Sequence, residues 1–417
     1  GEVTAGEFSP AGSGREWVDA DNLRRIHRET LQILRQEVRP VDPERYADFL
    51  AAWHLAPAPP TEAAAGPALE RIAGIPVPAA SLGLEILAPR FRDGDTSAVR
   101  RVVASGAFLW QGLPGHRVAL VPREHAERLL RPASPVGGAA SSVEEVLRSR
   151  GASFLSEVAR AGGLPEAEAL TGLFELVWAG RATNDSLAGI EEPQAPRRGR
   201  RRDARRMPLY GRWSLLPEAE EDPDLRAEAW AERLLETYGV VAREMAAAAE
   251  VPLPWPLLVD ALTTLEAQGR ARRGYFVRGL SGVQFALPAA VERLRRPPSS
   301  ELRAVAASDP ANALGPLLPP AADYRVSRVP GAWLVVAGGR PLLGIEGRGR
   351  RLVPLGAERL EEALGALGDL AAQWPRGRVA VERWGDRAVI GSEGEALLRA
   401  AGFAAGPRRM TYRVPVG

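Results

Sequence analysis

The chain has 417 residues, of which 45% are hydrophobic and 25% charged, a balance typical of several folded domains. It contains no cysteine, which excludes disulfides, thiolate metal sites and a cysteine nucleophile. No apolar run approaches the roughly 20 residues that a membrane-spanning helix needs, and the first residues show no export signal. We therefore expect a soluble, cytoplasmic protein without membrane contacts.

The basic residues narrow the range of functions further. The net charge is only +2, and all 54 basic residues are arginines, because the sequence has no lysine. A P-loop requires a lysine, so the chain cannot be a P-loop ATPase. The four histidines do not follow a metal-ligand spacing, and we expect neither a metal nor another cofactor. Arginine has a planar fork of donors that suits phosphate groups, which favours nucleic acid as a partner.

The first 60 residues are predicted to be helical. A helix with one basic side is predicted from Leu23 until Pro40 ends it, and a second one runs from about Pro43 to Leu55. A proline-rich stretch follows and indicates a linker.

Beyond this linker a weak repeat appears three times. In each copy, helical segments end at a glycine, a β-like segment follows, and the copy closes on a strand that ends in proline. The glycines are Gly106, Gly180 and Gly269, and the closing strands begin near Val118, Trp213 and Gln284. Helices followed by two strands and a connecting loop are the pattern of a winged helix, whose last helix usually reads the groove of DNA. The candidate groove-reading helices are 79–87 or 96–105, 165–179 and 255–268.

From about Ser300 onwards, short β-like runs alternate with glycine turns and two helical segments. We expect an α+β fold of tandem winged-helix modules followed by a β-barrel-like domain. Its parts are an N-terminal helical segment (1–60), a winged helix (61–132), a winged helix with an arginine-rich wing insertion (140–217), a third winged helix (225–297) and an α+β barrel-like domain (300–417).

Two groups of residues are predicted to bind nucleic acid. The second wing carries a run of seven arginines against one aspartate, and each arginine near a phosphate releases counterions. The alternative is a solvated loop or a targeting tract. The third wing places three arginines beside a tyrosine that can stack on a base. The predicted contacts are Arg197, Arg198, Arg200, Arg201, Arg202, Arg205 and Arg206 in the second wing, and Arg270, Arg272, Arg273 and Tyr275 in the third.

A polar cluster at the entry to the terminal domain is the one candidate for catalysis. Asp309 could activate water or stabilise a cationic sugar, with Asn312 beside it. The alternative is structural, because an Asp-Pro pair commonly starts a turn.

Several long strings resemble a known family. They are LRRIHRETLQILRQEVRPV from Leu23, WAGRATNDSLAGI from Trp178, YGVVAREMAAAAEVP from Tyr238, ARRGYFVRGLSGVQFALP from Ala271 and SDPANALG from Ser308. Together they resemble the C-terminal region of bacterial large helicase-related (Lhr) proteins. The resemblance implies a DNA-binding accessory and oligomerisation platform for a DNA repair helicase, built of tandem winged helices and a β-barrel, without the ATPase motor.

The same arrangement is similar, more distantly, to the AlkZ-type DNA glycosylases. Their Gln-x-Gln motif is absent here, which leaves Asp309 as the only position to carry over towards a catalytic aspartate. The alternative function is therefore uracil excision. The expected partners are single-stranded or tailed DNA, an RNA–DNA hybrid, the Lhr motor domains and a second copy of the chain.

Overall fold

The computed structural model describes residues 3–6, 15–22, 25, 39–191, 211–319, 324, 326–356, 358–374 and 377–413. Strand β1 (Val3–Gly6) pairs with antiparallel strand β2 (Glu16–Asp19), a strand pair that was not predicted from the sequence. Alternation in such short strands is too brief to be recognised. Helix α1 (Pro43–His54) confirms the second predicted helix, with Pro43 at its first turn. The first predicted helix lies almost wholly outside the described residues.

The first module combines regular helices with an irregular segment. Its regular elements are α2 (Glu62–Glu70), β3 (Val77–Pro78), α3 (Ser97–Ala104), β4 (Phe108–Leu113), β5 (Arg117–Pro122) and α4 (Ala126–Leu129). Between β3 and α3 lie a 3₁₀ turn (Ala79–Ser81), a π-helix (Leu82–Leu87) and two more 3₁₀ turns (Ala88–Arg90 and Arg92–Gly94), and a last 3₁₀ turn (Arg123–His125) follows β5.

The next two modules each place three helices before their last two strands. The second contains α5 (Ala139–Arg150), α6 (Leu155–Gly162), α7 (Glu166–Trp178), β6 (Ala182–Asn184), α8 (Ala188–Glu191) and β7 (Trp213–Leu215). The third contains α9 (Pro223–Tyr238), β8 (Val240–Val241), α10 (Arg243–Ala248), α11 (Trp255–Ala267), β9 (Arg272–Gly274), β10 (Gln284–Ala286) and α12 (Pro288–Leu294).

The closing strands occupy the same place in all three modules. β5 lies between β3 and β4, and β10 lies between β8 and β9. In the second module β7 pairs with β6 on one side and bridges through Trp213 to Ser153 on the other. Each closing strand therefore has backbone partners on both sides, although in the second module one partner is a bridge to a single residue.

The repeated glycines explain why the three modules end their last helix alike. Gly106, Gly180 and Gly269 have φ of 80°, 76° and 75°, a left-handed conformation that suits glycine. Their amides donate to the carbonyls of Val103, Val177 and Glu266 at 2.9 Å, which satisfies groups at the helix end. The chain then turns directly into the wing.

The terminal domain is built on a mixed sheet. Its elements are β11 (Leu302–Ala306), β12 (Trp333–Ala337), β13 (Arg340–Glu346), β14 (Arg351–Pro354), α13 (Leu360–Gln373), β15 (Arg378–Val381), β16 (Arg383–Trp384), β17 (Arg387–Ala388), α14 (Glu393–Ala400), β18 (Ala404–Ala405) and β19 (Met410–Arg413). The sheet order is β11-β12-β13-β14-β16-β17, with a separate sheet β15-β19-β18. Within the described ranges no closed barrel is found.

The modules and the terminal domain share two hydrophobic cores. One core includes Trp333 and Val335 and joins the first two modules to the terminal domain. The other includes Leu334 and Val336 and joins α1 and the third module to the same sheet. Successive side chains of a strand point to opposite faces, so β12 contributes to both cores. In the described part of the chain, no helix is both long and apolar enough to cross a membrane.

Gly112 is required where the first two modules touch. A Cβ atom on Gly112 of β4 would lie 2.4 Å from the carbonyl oxygen of Val177 in α7. We predict that Gly112→Ala lowers the free energy of unfolding by about 1–3 kcal/mol through overpacking, seen as a lower Tm. The control is Gly365→Ala inside α13, where a Cβ would meet nothing within 4 Å and alanine favours the helix. Equal Tm values for the two variants would contradict this contact.

Candidate nucleic-acid interface and buried carboxylates

The predicted contact residues of the third wing lie close together on and around its strands. Tyr275 is 65% exposed just after β9. Arg270 pairs with Glu232 at 2.8 Å, and both side chains are substantially exposed. Arg273 lies with its guanidinium 5.8 Å from the ring centre of Phe285. Exposed ion pairs contribute little to stability, so Arg270 can exchange its carboxylate for a phosphate at small cost.

A buried amide, which the sequence analysis treated only as part of a closing strand, shapes this wing. The Oε1 atom of Gln284 accepts hydrogen bonds from the amides of Phe276 at 2.8 Å and Val277 at 2.9 Å. Its Nε2 atom donates to the Val277 carbonyl at 2.9 Å. These three bonds fix the backbone immediately after Tyr275 and hold its ring towards solvent.

The arginine run of the second wing, from Arg197 to Arg206, lies outside the described residues. The described chain leaves this wing at α8 and re-enters at Gly211, just before β7. At the re-entry, Asp185 accepts hydrogen bonds from the Arg212 amide at 2.7 Å and from its side chain at 3.1 Å. The run is therefore inserted between two anchored strands of the wing.

The charges of two predicted groove-reading helices oppose that role. The exposed charged residues of α7 are Glu166, Glu168 and Glu175, and α11 exposes Asp260; neither helix contains an arginine. An acidic helix surface repels phosphates. Only α3, with Arg100 and Arg101, is basic. Among the described elements, the third wing and α3 are therefore better suited to contact nucleic acid than α7 or α11.

Asp309 is deeply buried and fully engaged. Its side chain is 1% exposed, and its two carboxylate oxygens each accept a hydrogen bond from Arg90 at 2.7 Å. The amide of Ala311 also donates to Oδ1 at 2.7 Å. The nearby Asn312 donates to the Ala307 carbonyl at 3.1 Å and accepts from the Leu314 amide at 3.1 Å. Both side chains thus stabilise a turn, the structural alternative considered above.

His54 completes a buried series of hydrogen bonds that was not predicted from the sequence. Its Nε2 atom lies 2.8 Å from the carbonyl oxygen of Thr237, and its Nδ1 atom lies 3.1 Å from Arg90. A carbonyl can only accept, so Nε2 carries the hydrogen and Nδ1 accepts from the guanidinium. Burial, reinforced by the charge of Arg90, lowers the pKa of His54 to about 3. The imidazole is therefore neutral and helps to orient Arg90.

Glu85 is a second buried carboxyl group, and it lies in the π-helix of the first module. Ser81 Oγ donates to its Oε2 at 2.8 Å, and the amide of Gly331 in the terminal domain donates to its Oε1 at 2.8 Å. The guanidinium of Arg348 lies 3.9 Å away. Burial raises the pKa of Glu85. The signal in the sequence was a single carboxylate within the apolar run LGLEIL.

Glu85 and Asp309 lie at the same end of the strand pair formed by β11 and β12 in the terminal domain. Asp309 follows β11, and Gly331 precedes β12. The Ala307 amide donates to the Ala332 carbonyl at 2.8 Å between them. Ser308 Oγ and Arg90 Nε are buried here without a hydrogen-bond partner among the described residues. We call Glu85, Arg90, Ser308 and Asp309 the junction cluster.

The junction cluster contains no metal-binding arrangement. Across the residues that the structure describes, no three histidine, cysteine, aspartate or glutamate side chains are placed to hold a metal ion. Unpaired buried polar atoms in such a cluster call for an explanation through a ligand or an ordered water.

Two family models describing a winged-helix domain of the large helicase-related (Lhr) protein match this chain, over residues 41–123 and 220–306. Over 99% of its length the chain is 32% identical to a Mycolicibacterium smegmatis protein named Lhr helicase/probable uracil glycosylase. Across 95% of its length the chain is 29% identical to an Escherichia coli protein named Lhr helicase/uracil glycosylase. The chain spans 31% and 30% of these two relatives.

A solved structure shares the fold. The DNA glycosylase AlkZ of Streptomyces sahachiroi superposes with a TM-score of 0.50 and 18% identity, covering 80% of this chain and 97% of AlkZ. At that identity the match shows the fold alone. The predicted resemblance to Lhr proteins and, more distantly, to AlkZ is thereby confirmed.

The His54 contacts predict a pH dependence of stability. The folded pKa of about 3 lies below the ordinary value of 6.5, so the unfolded chain binds the proton more tightly. Stability from this group is complete above pH 6.5 and falls as the pH drops towards 3, by up to about 1.4 kcal/mol per pH unit. We predict that His54→Gln flattens the change of Tm with pH across this window, whereas the exposed His125→Gln leaves it unchanged. An unaltered slope in His54→Gln would refute the assignment.

Proposed function

We propose that this chain, which carries two winged-helix domains of the Lhr type, is the DNA-binding accessory part of an Lhr-type repair helicase. The motor would lie outside this chain, because a P-loop requires a lysine and the sequence has none. Attachment to the motor domains and self-association belong to the same proposal. The observation that carries it is the third wing, where an exposed tyrosine stands beside arginines.

The geometry of the third wing suits single-stranded or tailed DNA. Stacking on a ring such as that of Tyr275 does not depend on the base, whereas arginines beside it contact phosphates along the strand. Arg272 lies 4.0 Å from Glu292 and is partly exposed, so we propose that it contacts the DNA phosphates together with Arg270. An RNA–DNA hybrid presents the same phosphates. The seven arginines of the second wing, Arg197 to Arg206, would add contacts that depend on charge alone.

The affinity for DNA should contain a stacking contribution from Tyr275 and an electrostatic contribution from the arginines, which substitutions can separate. We predict that Tyr275→Ala weakens binding of tailed DNA about tenfold, in line with about 1–3 kcal/mol for one stacked base, with the salt dependence unchanged. Replacing Arg270 and Arg272 by serine should weaken binding and also reduce the dependence of log K on log salt by about 0.7 for each lost contact. Fluorescence anisotropy across a salt series measures both.

The matched control for this series is Arg399→Ser. Arg399 is an exposed arginine on α14 that pairs with Glu395 at 2.8 Å, far along the chain from the wing. Its loss should change neither affinity nor salt dependence. Equal effects of all four substitutions would show that binding follows overall charge and would reject the wing as the contact surface.

A second candidate function is excision of uracil from DNA. It is supported by the names of the two Lhr relatives, both of which include uracil glycosylase, and by the AlkZ-like fold. The reaction is a hydrolysis in which water adds to C1′ of the sugar and uracil leaves through N1. The flipped base would have to reach the junction cluster, and Asp309 could take part only if Arg90 released it, with Asn312 reading the base.

Excision is tested with uracil-containing single-stranded DNA, scoring abasic sites. We predict that the parent chain produces abasic sites under conditions in which it binds the strand. Asp309→Asn should abolish them, through loss of either the carboxylate or the Arg90 pairing, and Tm distinguishes the two. The exposed Asp260→Asn serves as the control and should excise normally. If the parent binds the strand and leaves uracil in place, the second candidate is rejected.

A further inference from the structure

We propose that Glu85, rather than Asp309, is the carboxylate that accepts the proton of the attacking water in base excision. This inference rests on the second candidate function above. It begins from the position of Glu85 in the only π-helix of the described chain, an irregularity that often marks a functional site. The carboxyl group sits where the first winged-helix module faces the terminal domain.

The two buried carboxyl groups differ in their freedom to accept a proton. Asp309 faces a guanidinium that binds both of its oxygens, and a backbone amide adds a third bond. Neither oxygen of Asp309 is therefore left without a donor. Glu85 instead receives one hydrogen bond on each oxygen from neutral donors, Ser81 and Gly331. Burial raises its pKa, which makes Glu85 a stronger proton acceptor than an ordinary carboxylate.

The half-exposed side chain of Arg348 lies between Glu85 and the surface. The amide of Arg348 donates to the carbonyl of Gly331 at 2.8 Å, which places the loop after β13 directly over the Glu85 contact. The Arg348 side chain is 48% exposed, and Val329 on the neighbouring loop is 51% exposed. Displacing the Arg348 side chain would open a route from the surface to Glu85 and would leave that guanidinium beside the incoming phosphate.

The junction cluster supplies a group to read the base. Ser308 Oγ is buried at the same strand end and has no hydrogen-bond partner among the described residues. A hydroxyl can both donate and accept, so it can bond to a carbonyl of uracil. Arg90 and Asp309 then keep the strand end in place while remaining paired with each other.

The proposed step balances without any further reactant. The C1′–N1 bond breaks, and its electron pair leaves on N1 of uracil. Water oxygen bonds to C1′, Glu85 takes the proton from that water, and the proton is passed to the departing uracil. Deoxyuridine and water thus give uracil and an abasic sugar.

The test compares single-turnover excision by the parent chain, Glu85→Gln and Ser81→Ala. Glutamine keeps the shape and can still bond to Ser81 and Gly331, so Tm and DNA binding should stay at the parental values. Excision by Glu85→Gln should fall at least about 100-fold, the size expected for loss of a general base. The control is Glu144→Gln, another buried glutamate, which pairs with Arg148 and Arg181 and should leave excision unchanged.

The pH profile provides a second readout that a purely structural role would not change. Excision by the parent should rise with pH through the raised pKa of Glu85. The Ser81 hydrogen bond lowers that pKa, so Ser81→Ala should move the midpoint to higher pH while keeping the rate at the alkaline plateau. This readout also holds if Glu85→Gln folds poorly.

The outcomes are distinguishable. Parental excision by Glu85→Gln, or an unmoved midpoint in Ser81→Ala, overturns the inference while uracil excision itself stands. If Asp309→Asn loses excision at a normal Tm while Glu85→Gln keeps full activity, the inference is overturned and Asp309 is the proton acceptor. No excision by the parent chain overturns the second candidate function, and this inference with it.

Discussion

A buried ion pair holds the winged-helix array to the terminal domain. Arg90 is the last residue of the 3₁₀ turn Ala88–Arg90 in the first module, and Asp309 lies in the turn after β11; their two hydrogen bonds are both 2.7 Å long. Removing one partner of such a pair leaves an uncompensated buried charge and costs about 3–5 kcal/mol. His54 extends the contact to α1 and, through Thr237, to α9. The pair therefore fixes the relative placement of three parts of the chain and of the carboxyl groups between them.

The three repeated modules share one architecture but differ in their surface charges. The same helix, left-handed glycine and closing strand recur three times, yet the charges of the three modules differ. The last helices of the second and third modules are acidic on their exposed faces, while the third wing presents arginines and Tyr275. One architecture thus supplies both packing units and a candidate contact surface. Because β12 contributes to both cores, the modules pack against the two faces of the same sheet.

The sequence predicted the features that depend on local patterns. Periodicity and glycine positions indicated α7, α11 and the closing strands, and the Asp-Pro pair indicated a turn at Asp309. The N-terminal strand pair and the π-helix were not predicted. Short strands, and a helix with an extra residue per turn, leave no clear hydrophobic period in the sequence. The Arg90–Asp309 pair joins residues 219 positions apart, and no local pattern encodes such a contact. The barrel-like closure and the roles of the seven arginines of the second wing remain predictions.

The most direct measurement of the central claim is a double-mutant cycle on the buried pair, with Arg90→Met, Asp309→Leu and the combined variant compared by their free energies of unfolding. The account predicts that each single variant is strongly destabilised and that the combined variant loses much less than the sum, because no unpaired charge is left buried. Additive losses, or single variants as stable as the parent chain, would show that the two side chains are not coupled and that the terminal domain is held by other contacts.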